Sequence, residues 1–148
     1  MVNPFDLRTV LLAKHAQHVV LIHFPVALFI TGVALDLLSR GKRESHLASA
    51  AFFNISIAAA MVVPTVLTGF LAWQLALEGK RLKGLLLFHV VAASIAAMLV
   101  IVSWWVHWRS RKSRSPALPR FRIPVELCGL VVITLTAHLG GFLTGVNS

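Results

Sequence analysis

Three histidines, His23, His89 and His138, lie inside apolar runs long enough to cross a membrane. Imidazole in hydrocarbon is costly, so an ionisable residue at such a position marks a functional site by default. The chemistry open to it is ligation: neutral imidazole is a common axial ligand for haem iron. Three histidines at one depth point to a shared ligand, with haem first. The sole cysteine, Cys128, excludes an internal disulfide, a four-cysteine cluster and the C-x-x-C-H site of covalent haem attachment. It reads as a small apolar packing residue. There is no H-E-x-x-H, nucleophile elbow or phosphate-binding glycine loop, so hydrolytic catalysis has no support and nothing defines an enzyme.

The elements that must position these histidines follow from composition. The 148 residues are 57% hydrophobic and 13% charged, with a mean hydropathy of +0.82. Soluble domains are about half apolar and a quarter charged. Four apolar runs, about 18–38, 47–73, 84–106 and 125–146, each approach the length needed to span a bilayer. Helices are the state that satisfies their backbone there. The expected fold is all-α: an integral membrane four-helix bundle forming one domain over 1–148, up-down-up-down, with two short connections and a third that is longer and proline-containing but cannot hold a fifth span. The first run is long and lacks a cleavage signature, so it reads as a retained helix. Phe5 to Lys14 is expected to form a short interfacial helix.

Arg40, Lys42 and Arg43, with a basic loop at about 107–124, outweigh Arg8, Lys14, Lys80, Arg81 and Lys83 on the opposite side. The positive-inside rule puts the heavier set in the cytoplasm and both termini on the outer, periplasmic side of a bacterial inner membrane. Trp73 near one boundary and Trp104, Trp105 and Trp108 near the other fit aromatic belts. The net charge of +9 collects at span ends, where it meets lipid headgroups. No aromatic-plus-basic surface motif suits base stacking, so a nucleic-acid partner is excluded.

At 1.5 Å per residue, His23 sits about 7–8 Å in from the outer side, His89 about 9 Å and His138 about 12 Å. Thr65, Thr68 and Gly69 of the second span fall in the same layer. His138 shares a face with Thr134, Gly141 and Gly145, and His89 with Ala92, Ala93 and Ala96. Small residues there make room for a flat macrocycle, and they equally permit close helix packing. Pro25 removes the amide that would bond the Leu21 carbonyl, which leaves an acceptor near His23 or starts the helix close to Pro25. His15 and His18 share a face, with His18 a substitute ligand. His46 and His107 are expected to be solvated at cytoplasmic ends. Asp36, Asn54 and Glu126 make a second polar set toward the cytoplasm, expected to reach the interface, with Asp36 pairing Arg40 at i+4.

The sharp reading is a membrane electron-transfer subunit holding b-type haem between two intramembrane histidines, part of a larger redox complex. His89 is the first choice of ligand, with His23 or His138 as its partner. Its outward site suits exchange with a periplasmic cytochrome, another redox subunit or quinone. Zinc fits that layer less well, because no cysteine or carboxylate completes a tetrahedral site. The rival reading is a cofactor-free anchor or assembly subunit, each histidine bonding a carbonyl or Thr. A small transporter is poorer, since no paired broken helices are visible.

The run His23-Phe24-Pro25-Val26-Ala27-Leu28, followed by an apolar stretch to Asp36-Leu37-Leu38, resembles a widespread family of small bacterial membrane proteins of unknown function. These open with an H-F-P-[IV]-A-L motif on the first helix. The resemblance covers nearly the whole chain. It implies four helices, with a Thr-Gly pair late in the second (Thr68-Gly69) and a histidine early in the third (His89). His138-Leu139-Gly140-Gly141 is similar to the fourth helix of relatives fused to c-type cytochromes. It thereby implies a redox association by analogy. With no haem c motif here, such a cytochrome partner is a separate subunit.

Overall fold

The computed structural model of the chain describes residues 14–40, 45–75, 77–79, 81–113 and 119–143. It is all-helical among these residues: α1 (Lys14–Ser39), α2 (Ser45–Leu75), α3 (Gly84–Lys112) and α4 (Arg122–Leu143). All four are long and apolar enough to cross a membrane. Between 17% and 22% of the apolar window of each is buried. Large apolar side chains on all four helices, including Phe24, Phe53, Phe70, Phe88, Met98 and Val131, are exposed, as hydrocarbon accepts and water does not.

The helices pack as two hairpins, α1 with α2 and α3 with α4, joined less closely through α2 with α3 and less still through α1 with α4. Paired numbers run in opposite senses within each hairpin. His18 meets Thr68 while Gly32 meets Ile55, and His89 meets Thr136 while His107 meets Glu126. Small residues permit this closeness. A Cβ on Gly32 would lie 2.7 Å from Ile55 Cγ1 and 3.3 Å from the Ala51 carbonyl oxygen. One on Gly129 would lie 2.8 Å from the Phe29 ring. Phe29 therefore packs against α4 at Gly129 and leads the core of Val33, Ala58, Val62, Ala96, Val100 and Ile133.

Two expectations about boundaries change. The basic segment 107–124 is not a loop throughout. α3 runs on to Lys112, and α4 begins at Arg122. Apolarity stops near Val106, but nothing in His107–Lys112 breaks a helix. Arg109, Arg111 and Lys112 in the last turn complement its dipole. Arg109, Arg111 and Lys112 also cover the Trp105, Phe52 and Trp108 rings at 5.4, 4.3 and 4.1 Å. Pro25 does not begin a helix, because α1 starts at Lys14 and carries Pro25 inside it. The expected interfacial helix over Phe5 to Lys14, apart from Lys14 itself, lies outside the described residues, as do Gly145 and the side chain of His15.

The core is uneven along the bundle. Buried residues of α1 begin at Pro25 and those of α3 at Ala92, while those of α4 end at Ile133. One end is packed tightly and carries the larger share of the basic residues. The other, which carries His18, His23, His89 and His138, is more open.

Candidate functional site

At the open histidine end, two histidines face neighbouring helices. His89 Nδ1 lies 3.2 Å from the Thr136 carbonyl oxygen on α4. A carbonyl only accepts, so Nδ1 carries the proton and the lone pair sits on Nε2. The ring rests on Gly140, where a Cβ would come within 3.3 Å of Cε1. His18 repeats the arrangement on α1. Its Nδ1 lies 3.3 Å from Thr68 Oγ1, and its ring covers Gly69, where a Cβ would approach Cε1 to 2.9 Å. The Thr68 hydroxyl donates to the Pro64 carbonyl at 2.9 Å or the Thr65 carbonyl at 3.0 Å. It accepts from His18, which is thereby set in the same tautomer. His18, Thr68, Gly69, His89 and Gly140 are all half-buried.

The other two expected ligands do not join them. His23 is exposed, and its Nδ1 donates to the Val19 carbonyl at 2.7 Å, one turn back on its own helix. Its acceptor is not the Leu21 carbonyl that Pro25 leaves without an amide. His138 is exposed on the outward face of α4, its ring edge-on to Phe142 at 4.9 Å. It lines a shallow groove with Leu130, Val131, Thr134 and Leu135. Gly141 is half-buried, but Gly140 is the glycine beneath His89. Helical rise places His23, His89 and His138 at similar depths, with His18 about 7–8 Å nearer the outer boundary than His23; the rotation of each helix about its own axis decides which look inward.

At the basic end the structure assembles a polar site that sequence reasoning dispersed. Asp36 of α1 and Glu126 of α4 are 0% exposed, Ser103 and His107 of α3 are 1% and 3%, and Arg122 of α4 is 7%. Arg122 Nε donates to Asp36 Oδ2 at 2.9 Å, and His107 Nε2 lies 2.8 Å from Glu126 Oε1. Ligand atoms of Asp36, His107 and Glu126 fall within 4.8 Å of one another. Asp36 Oδ1, Glu126 Oε2 and Ser103 Oγ are buried and make no hydrogen bond among the described residues. Such an arrangement can hold protons or a cation, and its Arg122–Asp36 bond ties α4 to α1 across the two hairpins.

Three expectations are corrected here. His107 is buried rather than solvated, because α3 continues beyond it and α4 closes over it. Asp36 pairs with Arg122, 86 residues away, and not with Arg40, which is exposed. The second polar set does not reach the interface: Asp36 and Glu126 meet inside the bundle. Asn54 stands apart, its amide donating to the Ala50 carbonyl of its own helix at 2.9 Å. One sequence signal could have found His107. It follows His89 by 18 residues, as Asp36 follows His18. Eighteen residues make five whole turns, or about 27 Å. An inward His89 therefore carries His107 onto the same face at the far end.

An all-α chain of four membrane-length helices with two internal polar layers is the class so defined. The model of a family of predicted membrane proteins (DUF2231) matches residues 14–146, and the chain belongs to that family. No curated protein and no solved structure shows significant similarity to it.

Proposed function

We propose that the protein is a multi-pass inner-membrane electron-transfer subunit, with b-type haem at its open, outward end between His89 and His18. The bundle would run up-down-up-down with both termini outside, leaving the basic end in the cytoplasm. The observation that carries the reading is the matched pair of histidines on α1 and α3. Each Nδ1–H is held by a threonine-derived acceptor on the next helix: the Thr68 hydroxyl for His18 and the Thr136 carbonyl for His89. Metal-ligating histidines almost always donate their second nitrogen in this way, which orients the ring and directs Nε2 to the metal.

The residues present fit the group. Glycines beneath both rings keep the surfaces flat, and the core thins toward this end of α1, α3 and α4. Bundle interiors commonly hold such cofactors. Bound haem would supply one-electron chemistry. The chain's own part is to fix two imidazole rings, hold their tautomers and exclude water with apolar helix faces. An outward position favours a periplasmic cytochrome, another redox subunit or quinone as partner. His23 and His138, facing away, are assigned no ligand role.

Reduced-minus-oxidised absorption of the protein, purified after expression with adequate haem, tests the proposal. A Soret shift and an α-band are expected, lost in His89→Ala and in His18→Ala and kept in His138→Ala and His23→Ala. A colourless wild type returns the chain to the rival reading, a cofactor-free anchor.

A further inference from the structure

We propose that Asp36, His107 and Glu126 form a binding site for one divalent first-row transition-metal ion at the basic end of the bundle. The site is distinct from any haem at the histidine end and does not depend on it. Its donors come from three helices, and no two of the three residues are near in sequence except through the turn from α3 to α4.

The geometry is close to what a metal needs. Two ligands at about 2.1 Å and at right angles stand about 3 Å apart. The 2.8 Å edge between His107 Nε2 and Glu126 Oε1 already has that length. In the metal-free protein a proton bridges this edge, and a cation would take its place, as metals compete with protons for such donors. Asp36 is held by Arg122 through Oδ2 alone, which leaves Oδ1 directed elsewhere. All three ligand atoms lie within 4.8 Å of one another, so small side-chain shifts bring them onto one ion.

A second observation points the same way. Asp36 Oδ1, Glu126 Oε2 and Ser103 Oγ are buried oxygens with no hydrogen bond among the described residues. Ser103 precedes His107 by one helical turn, so both present the same face of α3. Buried oxygens without partners are costly, and two of the three belong to the carboxylates of the cluster itself, where a bound cation would satisfy them.

Donor type selects the metal. Magnesium and calcium take all-oxygen shells. One imidazole with two carboxylates suits zinc, manganese or ferrous iron instead. Two carboxylates beside one guanidinium leave the pocket with a single negative charge when His107 is neutral. That favours a cation yet limits how much charge the site accepts. Among the described residues no carboxylate bonds to the histidines of the other layer, so this donor set is particular to the basic end.

The test uses the full-length protein in detergent, stripped of metal and titrated separately with Co²⁺, Zn²⁺ and Mn²⁺. One Co²⁺ per chain with visible d–d absorption is expected, displaced by Zn²⁺. His107→Gln and Glu126→Gln should each weaken binding by on the order of 10- to 100-fold or more. His46→Ala and His138→Ala should not. Zinc-edge X-ray absorption of the wild type, which needs no variant, should show one imidazole among oxygen ligands and no sulfur. No stoichiometric Co²⁺ binding would overturn the proposal, leaving the cluster a proton-holding network. So would a zinc shell with two or more imidazoles or sulfur, or unchanged affinity in folded Glu126→Gln protein. Because the readout is metal binding, a colourless protein that binds Co²⁺ would sink the haem reading alone.

Discussion

The Asp36–Arg122 pair offers the sharpest test of the structure. Its two side chains are 0% and 8% exposed and meet at 2.9 Å from helices in different hairpins. Arg122→Met removes the guanidinium and fills part of its volume, stranding a carboxylate beside the Glu126 carboxylate with no compensating cation. Breaking a buried pair by removing one partner costs about 3–5 kcal/mol. At roughly 3 °C per kcal/mol for a chain of this length, the melting temperature should fall by about 9–15 °C. Removing both charges is different, because two desolvated ions are replaced by apolar contact. The double variant Asp36→Leu/Arg122→Met should recover to within about 1 kcal/mol of wild type, or exceed it. The assay is helical circular dichroism against temperature in one detergent for wild type, both single variants and the double. The resulting cycle should give a coupling energy well above the few tenths expected of independent sites. If Arg122→Met melts within 2 °C or so of wild type, or if the two single losses simply add, the hairpins are not joined by this pair. The assignment of Arg122 to the interior of the bundle would then be wrong.

Other predictions follow from the same geometry. Gly129→Leu should destabilise by about 1–3 kcal/mol through overpacking against the Phe29 ring, measured by thermal melting, and Phe29→Leu in the same chain should recover part of that loss. Thr68→Val keeps shape but removes the acceptor of His18 Nδ1–H. It should cost about 1 kcal/mol and shift the midpoint potential of a bound haem, whereas an unmoved potential detaches His18 from the iron. For orientation, Glu78→Cys and Arg120→Cys, each in a Cys128→Ala background, should react differently with a membrane-impermeant maleimide on intact cells. Labelling is expected at 78 and absent at 120, and the reverse pattern inverts the bundle.

Much of this protein was legible in its sequence. Four uninterrupted apolar runs require four helices, because lipid leaves backbone groups no other partner. Two short connections make the first three helices alternate in direction, and a rise of 1.5 Å per residue sets depth, so a layer of histidines and a second polar layer could both be placed along the bundle. His89 was the first choice because its span is the best defined, and its ring does meet α4 at the Thr136 carbonyl, with Ala92 and Ala96 of the same face buried.

Rotation was not legible. A helix in lipid is apolar all round, so its hydrophobic pattern barely separates inside from outside. His23 and His138 lie at the right depth yet look away from the bundle, while His18 looks in. Nor could local spacing reveal that Asp36 would choose Arg122 over Arg40. An i+4 neighbour is always within reach, but an arginine 86 residues on is near only once α4 has docked against α1. Sequence alone determined how deep each polar group lies, through chain length and helical rise. Only tertiary packing decided which way each one faces and whom it meets, because the contacts that turn a helix about its axis are made by the other helices. His107 shows both: its apolar neighbours ended the visible span, and the closure of α4 drew it into the buried cluster.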